Sequence, residues 1–538
     1  MDMQQKMERS RPGFGWWTRF QKWNPGSKAA FITAFLFGYI IHLYAFTNNI
    51  PNADGLSRIY DTQQMTISGR WFLHFASYFH GFVQSPALIG FLSVLFLAIA
   101  AALVAKVLKM DSPTTGVLTG LFMVSIPSVA YTYLYMFTAS AYMFGVFLAV
   151  LAVVLTDRTR WGWILGAVSL ACAMGIYQAY LPVAASLALC AVLRLALDPD
   201  TSSQDAWKIA LRFLCMIVLG IILYYVILKI FLAAKDLSLI SYKNINDASE
   251  SLDGGGVFAG IWSAYKDFIF YFTIVGTTSY ITRSVVILNW ILAAASFVIL
   301  ISRCRTVNML KSPGKLVLII LVFLLMPLAV NGMAIVSKQA PIMRYAFVSV
   351  YLLAVMGLSM AEKKESSSAL TGGVRWVSVV VSLLLILCFV QTDNTAYLES
   401  ETAHRSTERF LTELVTRVES MPGYQKDMEV AIVGTFPEDT YYSNVLAFNE
   451  VHHYSSPSSS VLMENKHIYY YLNDWLNVQW KEPDEQTMIS ISNSDAFQAM
   501  PLYPSDGSIS IQDGRVVVRL SEQYIPKRDY EIEYENRR

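Results

Sequence analysis

Residues 86–108 read PALIGFLSVLFLAIAAALVAKVL, a run whose single charge, Lys106, sits near its end. A hydrocarbon core about 30 Å thick is crossed by roughly 20 apolar residues. In lipid such a run has one stable solution, a helix that satisfies its own backbone. Ten further stretches fit or nearly fit the same template: 29–46, 115–134, 137–156, 161–178, 181–197, 209–233, 283–302, 316–336, 345–361 and 374–391. Composition agrees. Of 538 residues 54% are hydrophobic and only 15% charged, with a mean hydropathy of +0.42. A soluble domain carries about 25% charged residues, so a cytosolic globular enzyme and a disordered chain are both excluded. The first stretch follows 28 polar residues and has no small-residue cleavage site after it, so it reads as a retained span and not as a signal peptide.

Orientation follows from Lys and Arg near the helix ends. The N-terminal tail 1–28 carries Lys6, Arg9, Arg11, Arg19, Lys22 and Lys28. Alternate loops continue the bias with Lys106 and Lys109, Arg158 and Arg160, Arg194 with Lys208 and Arg212, Arg303 to Lys315, and Lys363 to Arg375. Eleven spans with the N-terminus inside put residues 392–538 outside. That segment holds 12 Lys and Arg against 24 Asp and Glu, a net of −12, which leaves +13 for residues 1–391. The overall charge of +1 gives no sign of a nucleic-acid partner.

Two segments fall outside the count. Phe268 to Ile281 is apolar but short, and reads as a re-entrant or interfacial piece after the polar loop 235–257. Met65 to Gly81 mixes aromatic and polar residues and reads as an interfacial helix. The outer segment opens with an amphipathic helix over roughly 396–420 that ends at Met421-Pro422-Gly423. Residues 429–434 read as a buried strand, helical signals cover 465–478, and 508–511 with 516–520 form a hairpin around Asp513-Gly514. The expected architecture is a polytopic all-α membrane domain, 29–391, with a C-terminal extracytoplasmic α/β domain, 392–538. The five cysteines, Cys172, Cys190, Cys215, Cys304 and Cys388, show neither a disulfide framework nor zinc spacing.

Charge at a membrane face is costly unless it is used, so polar clusters in the outer loops are the natural sites of chemistry. The richest is the first: Asn52-Ala-Asp54-Gly-Leu-Ser-Arg58, then Asp61, then Ser68-Gly-Arg70-Trp71. Asp54 suits a general base that takes a proton from an incoming hydroxyl; it equally suits the N-cap of a helix starting at Gly55. Arg58, one turn on, can pair with Asp54 or bind a phosphate. Arg70 either binds a phosphate or anchors the interface beside Trp71. Lys338 and Arg344 flank the outer loop between the ninth and tenth spans and suit a lipid phosphate or ordinary headgroup contact. Tyr177 and Gln178 can hydrogen-bond a sugar, although an aromatic belt also places Tyr there. Asp267 is a candidate second acid, while a solvated loop explains Asp236, Asp247, Glu250 and Asp253. His74, His80, His452 and His453 do not cluster with acids at metal spacing. No metal site is assigned, and a divalent cation on a donor phosphate is the one cofactor the chemistry admits. Tyr469-Tyr-Tyr471, Trp475 and Trp480 suit either sugar stacking or a core.

An acid in the first outer loop, an Arg four residues on, a following Gly69-Arg70-Trp71 and the run Gly175-Ile-Tyr-Gln-Ala-Tyr180 together resemble the GtrII-like glucosyl transferases, the multispanning serotype-converting enzymes of O-antigen modification. The resemblance covers roughly residues 29–391. It departs where the family often has paired acids, since Gly55 follows Asp54 here; Asp61 then supplies the second carboxylate, or one acid suffices. These proteins are similar to GT-C glycosyltransferases. The resemblance therefore implies transfer of a hexose, glucose first, from a polyprenyl-phosphate-linked sugar to a cell-surface glycan, with inversion. It implies Asp54 as base, cations on the leaving phosphate, a bacterial cytoplasmic membrane, and dependence on a donor-making glycosyltransferase and a donor flippase. The rival readings are a transporter or flippase of lipid-linked sugars, with polar groups deep in broken helices, and a glycan polymerase or ligase.

Overall fold

The computed structural model describes residues 22–56, 59–239, 256–276, 281–335, 339–362, 369–435, 462 and 465–524. Arg58, Lys338, His452, His453 and most of the 235–257 loop lie outside the described residues.

The helices of the membrane part are α1 (Pro25–Ile41), α2 (Leu43–Thr47), α3 (Leu73–Ser77), α4 (Pro86–Val107), α5 (Pro113–Ser125), α6 (Pro127–Tyr133), α7 (Met136–Arg158), α8 (Gly162–Ile176), α9 (Leu181–Ala196), α10 (Ser203–Ala234), α11 (Gly256–Thr273), α12 (Arg283–Thr306), α13 (Pro313–Asn331), α14 (Val348–Glu362) and α15 (Ala369–Glu419). Each of the eleven apolar stretches falls on one of these helices or on a consecutive pair. Two of the starts show cap chemistry beside a proline: Asn24 before Pro25 accepts from Ser27 N at 2.7 Å, and Ser112 before Pro113 accepts from Thr115 N at 3.2 Å. Among the described residues eight helices are long and apolar enough to cross a membrane, or nine if α5 and α6 form one bent span; α1 and α8 are apolar but shorter. Leu211, Leu214, Ile222 and Ile230 lie exposed along α10, a surface suited to lipid.

The bend of 45° between α5 and α6 has an identifiable cause. Pro127 has no N–H to give Met123 O, and the residue before a proline is pushed out of the helical region. Ile126 is accordingly extended, with ψ at 132°. The carbonyls released there are satisfied by distant side chains. Tyr345 Oη donates to Met123 O at 2.9 Å, and His42 Nε2 donates to Val124 O at 2.7 Å.

The loops sort to two ends of the bundle by their charge class. At one end Lys109 pairs with Asp198 (2.8 Å), Arg194 with Asp157 (2.8 Å), Lys315 Nζ donates to Asp198 O and Arg303 Nε to Leu197 O. These are the basic loops of the sequence. At the opposite end Asn52 Nδ2 donates to Leu134 O, Gln178 Nε2 to Ser68 O and Asn394 Nδ2 to Ile41 O.

Three expectations change in detail. Residues 65–81 are not one helix but short helical turns around α3, with Trp71, Leu73 and Ala76 buried, because Gly69 and Gly81 take positive φ and break the run. The half-embedded piece is longer than 268–281: α11 begins at Gly256 and packs on α13, where Asn331 Nδ2 donates to Ala264 O. The helix expected over 396–420 has no start of its own. The apolar run and the amphipathic run form the single 51-residue α15, since nothing between Gln391 and Ala396 breaks a helix.

Beyond α15, β1 (Val430–Val433), α16 (Asn465–Asp474), α17 (Glu485–Ser492), α18 (Asp495–Gln498), β2 (Ile509–Gln512) and β3 (Arg515–Arg519) form a compact unit. Its sheet has the order β1-β3-β2, with β1 parallel to β3 and β2 antiparallel to it. The two-residue turn Asp513-Gly514 has φ of 49° and 74°, the primed geometry that a tight hairpin needs. One sheet face packs on Phe410, Leu414 and Val418 of α15 with Ile468 and Leu472 of α16; the other packs on Met488 and Phe497.

Candidate functional site

The two short motifs of the membrane part meet in space. Gly69 has φ +84° and a Cβ there would fall 2.4 Å from Gln178 Nε2, so only glycine fits. Gln178 Nε2 donates to Ser68 O at 2.9 Å and to Tyr224 Oη at 3.1 Å, and Tyr224 Oη donates to Gly69 O at 3.0 Å. Phe72 N closes the junction on Gly175 O at 2.8 Å. The outcome is a fixed turn that lays the Arg70 guanidinium over the Tyr177 ring, 5.0 Å from its centroid. Tyr177 is stacked on Tyr142 at 4.9 Å, and Trp71 on Phe231 at 5.8 Å. Gln178 thus spends its amide nitrogen on holding the Arg70 turn, which makes it a positioning group.

The acids of the first loop differ in setting. Asn52, not Asp54, is the cap of the turn Ala53–Gly55: its Oδ1 accepts from Gly55 N at 2.9 Å. Asp54 lies inside that turn, exposed, so the capping reading of it falls. Asp61 is buried and accepts from Gln63 N at 2.8 Å and Gln63 Nε2 at 2.9 Å, in a stretch paired through Asp61 N with Phe82 O. Beside it His80 meets Ser140 Oγ at 2.8 Å; burial pushes its imidazole down to about 4, with the Asp61 charge opposing. Asp61 thus holds the Gln63 turn through its two carboxylate oxygens. Asp267 is exposed on α11 and accepts only a long bond from Ser263, at 3.5 Å; no described contact joins it to the first loop.

Arg344 sits between two short turns just before α14, 6.0 Å over the Tyr271 ring. Its Nε and Nη1 are buried and have no hydrogen-bond partner among the described residues. Tyr271 packs on Phe347 at 4.2 Å and on Phe272 at 4.9 Å, and Phe272 lines an apolar cavity of about 620 Å³. Phe268, Phe272, Asn289, Tyr351 and Arg303 are among its lining residues.

Sequence reasoning missed the buried polar groups nearby. His42 donates from Nε2 to Val124 O, so its Nδ1 accepts from Tyr397 Oη, at 2.7 Å. Tyr133 packs edge-on against His42 at 4.8 Å, and Asp393, fully buried, lies one helical turn before Tyr397. An acid and a tyrosine four apart at the end of an apolar run were the available signal. Tyr469 and Tyr471 are core residues, as Tyr469 Oη accepts from Ile432 N and donates to Val430 O. Among the described residues no group of three or more His, Cys, Asp or Glu is placed to hold a metal ion.

A bundle of apolar helices long enough to cross a membrane fits a membrane protein, with Arg70 and Arg344 held on aromatic faces and Asp54 exposed in a loop. A family model described as glucosyl transferase GtrII matches residues 43–361, more than half of the chain, and the chain belongs to that family. Glycosyltransferase activity follows from that membership. The match contains Asp54, Arg70, Tyr177, Gln178 and Arg344, and excludes α15 and the sheet unit. No curated protein and no solved structure matches the chain.

Proposed function

We propose that the protein transfers glucose from a polyprenyl-phosphate donor to a cell-surface glycan outside the bacterial cytoplasmic membrane, with inversion at the anomeric carbon. The observation that carries the donor class is Arg344: two buried guanidinium nitrogens without an acceptor among the described residues lie over Tyr271, whose neighbour Phe272 lines an apolar cavity of about 620 Å³. A cation beside an apolar slot matches a phosphate attached to a long hydrocarbon. In the reaction Asp54 takes the acceptor hydroxyl proton as that oxygen attacks C1 of the sugar. The bond from C1 to the phosphate oxygen breaks, and the electron pair leaves on polyprenyl phosphate, whose charge Arg70 and Arg344 stabilise. Arg58 and Lys338, beside these groups in sequence, remain candidates for the same charge. A divalent cation on the phosphate, a donor-making glycosyltransferase and a donor flippase are the partners this chemistry calls for. The alternation of basic loops supports a cytoplasmic N-terminus and an outward-facing site.

The flippase reading is weakened by the bend at Ile126–Pro127. A broken helix in a transport path offers its carbonyls to cargo, whereas Tyr345 and His42 occupy both of these. The experiment is the glycan composition of cells carrying wild-type chain, Asp54→Asn or no chain, at matched membrane levels. A hexose present with wild type alone supports transfer and the base. Full modification by Asp54→Asn removes Asp54 from the reaction. No added sugar, with lipid-linked sugar changing sides, selects the flippase.

A further inference from the structure

The loop that carries Asp54 is held from two sides, and one holder lies outside the family match. Toward the membrane, Asn52 caps the Ala53–Gly55 turn through Oδ1 and bonds Leu134 O through Nδ2. Away from it, Leu56 is completely buried and belongs to the hydrophobic cluster of the sheet unit, with Phe410, Leu414, Tyr471 and Leu472. The Trp475 indole N–H donates to Leu56 O at 3.3 Å. Trp475 is in turn fixed by stacking on Tyr471 at 5.9 Å and by the edge of His404 at 5.4 Å. Asp54 therefore stands on a short bridge with both feet anchored, one in the bundle and one in the C-terminal unit. A flexible outer loop would be expected to wander, and a base displaced by about 1 Å loses on the order of 100-fold in rate.

We infer that Leu56 and Trp475 are positioning residues, and that the C-terminal unit serves the reaction by seating Leu56 so that Asp54 keeps its place. This rests on Asp54 being the base. It gives the C-terminal unit a mechanical task that does not require it to touch either substrate. It also accounts for a buried leucine in a polar loop, which clusters with the core of the C-terminal unit.

The test is kinetic, on the full chain in membranes, with radiolabelled glucosyl polyprenyl phosphate as donor and the envelope glycan of the producing cells as acceptor. Leu56→Ala is expected to lower kcat about tenfold or more while donor KM stays within about twofold, and Leu56→Met, which refills the socket, to restore most of the rate. In an Asp54→Asn background Leu56→Ala is expected to change the residual rate by less than about twofold, since the effect acts through the carboxylate. Trp475→Phe keeps the ring and loses the bond, with an expected loss of about threefold in kcat. Wild-type kcat in Leu56→Ala overturns the inference, and so does an equal loss in the Asp54→Asn background. If Leu56→Ala fails to accumulate, Trp475→Phe decides, and an unchanged kcat there overturns it. An Asp54→Asn chain with full activity is a different failure: it removes the base itself, and the positioning role with it.

Discussion

Arg194 and Arg344 are both largely enclosed arginines, at opposite ends of the bundle, and they are treated differently. Arg194 donates to Asp157 at 2.8 Å and to Val107 O, which ties three helices together. Arg344 faces the Tyr271 ring, and its Nε and Nη1 meet no acceptor among the described residues. A guanidinium beside a carboxylate is a fastening, because removing either partner strands the other charge. A guanidinium against a ring keeps its edge for an anion that comes and goes. The basic end is fastened by ion pairs, whereas Arg344 keeps two nitrogens without an acceptor among the described residues.

The sharpest break would come at the acid. Asp54→Asn is expected to reduce glucose transfer by about 10²–10⁴-fold without changing the amount of folded protein, measured by incorporation into envelope glycan and by membrane yield. Arg344→Met should cost about 10²-fold in transfer with an unchanged melting temperature in detergent. Its mirror, Arg194→Met, should lower stability by about 3 kcal/mol, since Asp157 is left without its cation in a partly enclosed place. If the two variants behave alike, the contrast between the ends is wrong. Gln178→Leu should cost about 1–2 kcal/mol by leaving Ser68 O and Tyr224 Oη short of a donor, and should slow transfer through the Arg70 turn. Thermal unfolding and transfer rate together check it.

The smallest effect concerns pH. His80 in the folded chain titrates near 4, below its ordinary 6.5, so as pH falls the unfolded chain takes up this proton first. The associated stability is complete above about 6.5 and is lost progressively toward 4. Wild type should therefore melt at lower temperature across that window, and His80→Asn should show a shallower slope there.

Much of the helical layout was legible because a long apolar run in lipid has no alternative to a helix. The site was legible in pieces: Gly69-Arg70-Trp71 and Tyr177-Gln178 stood out as motifs. That Gln178 spends its amide on Ser68 O, 110 residues away, did not, because nothing local to either motif encodes the other. His42 was hidden for a similar reason. Its task is to satisfy a carbonyl released by Pro127, and only the packing of the two helices makes that need visible. The apolar run ends at 391 but the helix does not, since no breaker marks that point. Asp393 and Tyr397, just past that boundary, were lost with it.

Continuous α15 has a further meaning. At about 1.5 Å per residue its 51 residues form a rod about 76 Å long, of which only the first part matches the apolar span. A rod that is stiff across its length works as a lever. With a pivot in the bundle and an arm of about 40 Å, a tilt of 5° carries its far end through roughly 3–4 Å, a displacement that the surrounding bilayer can impose by changing thickness.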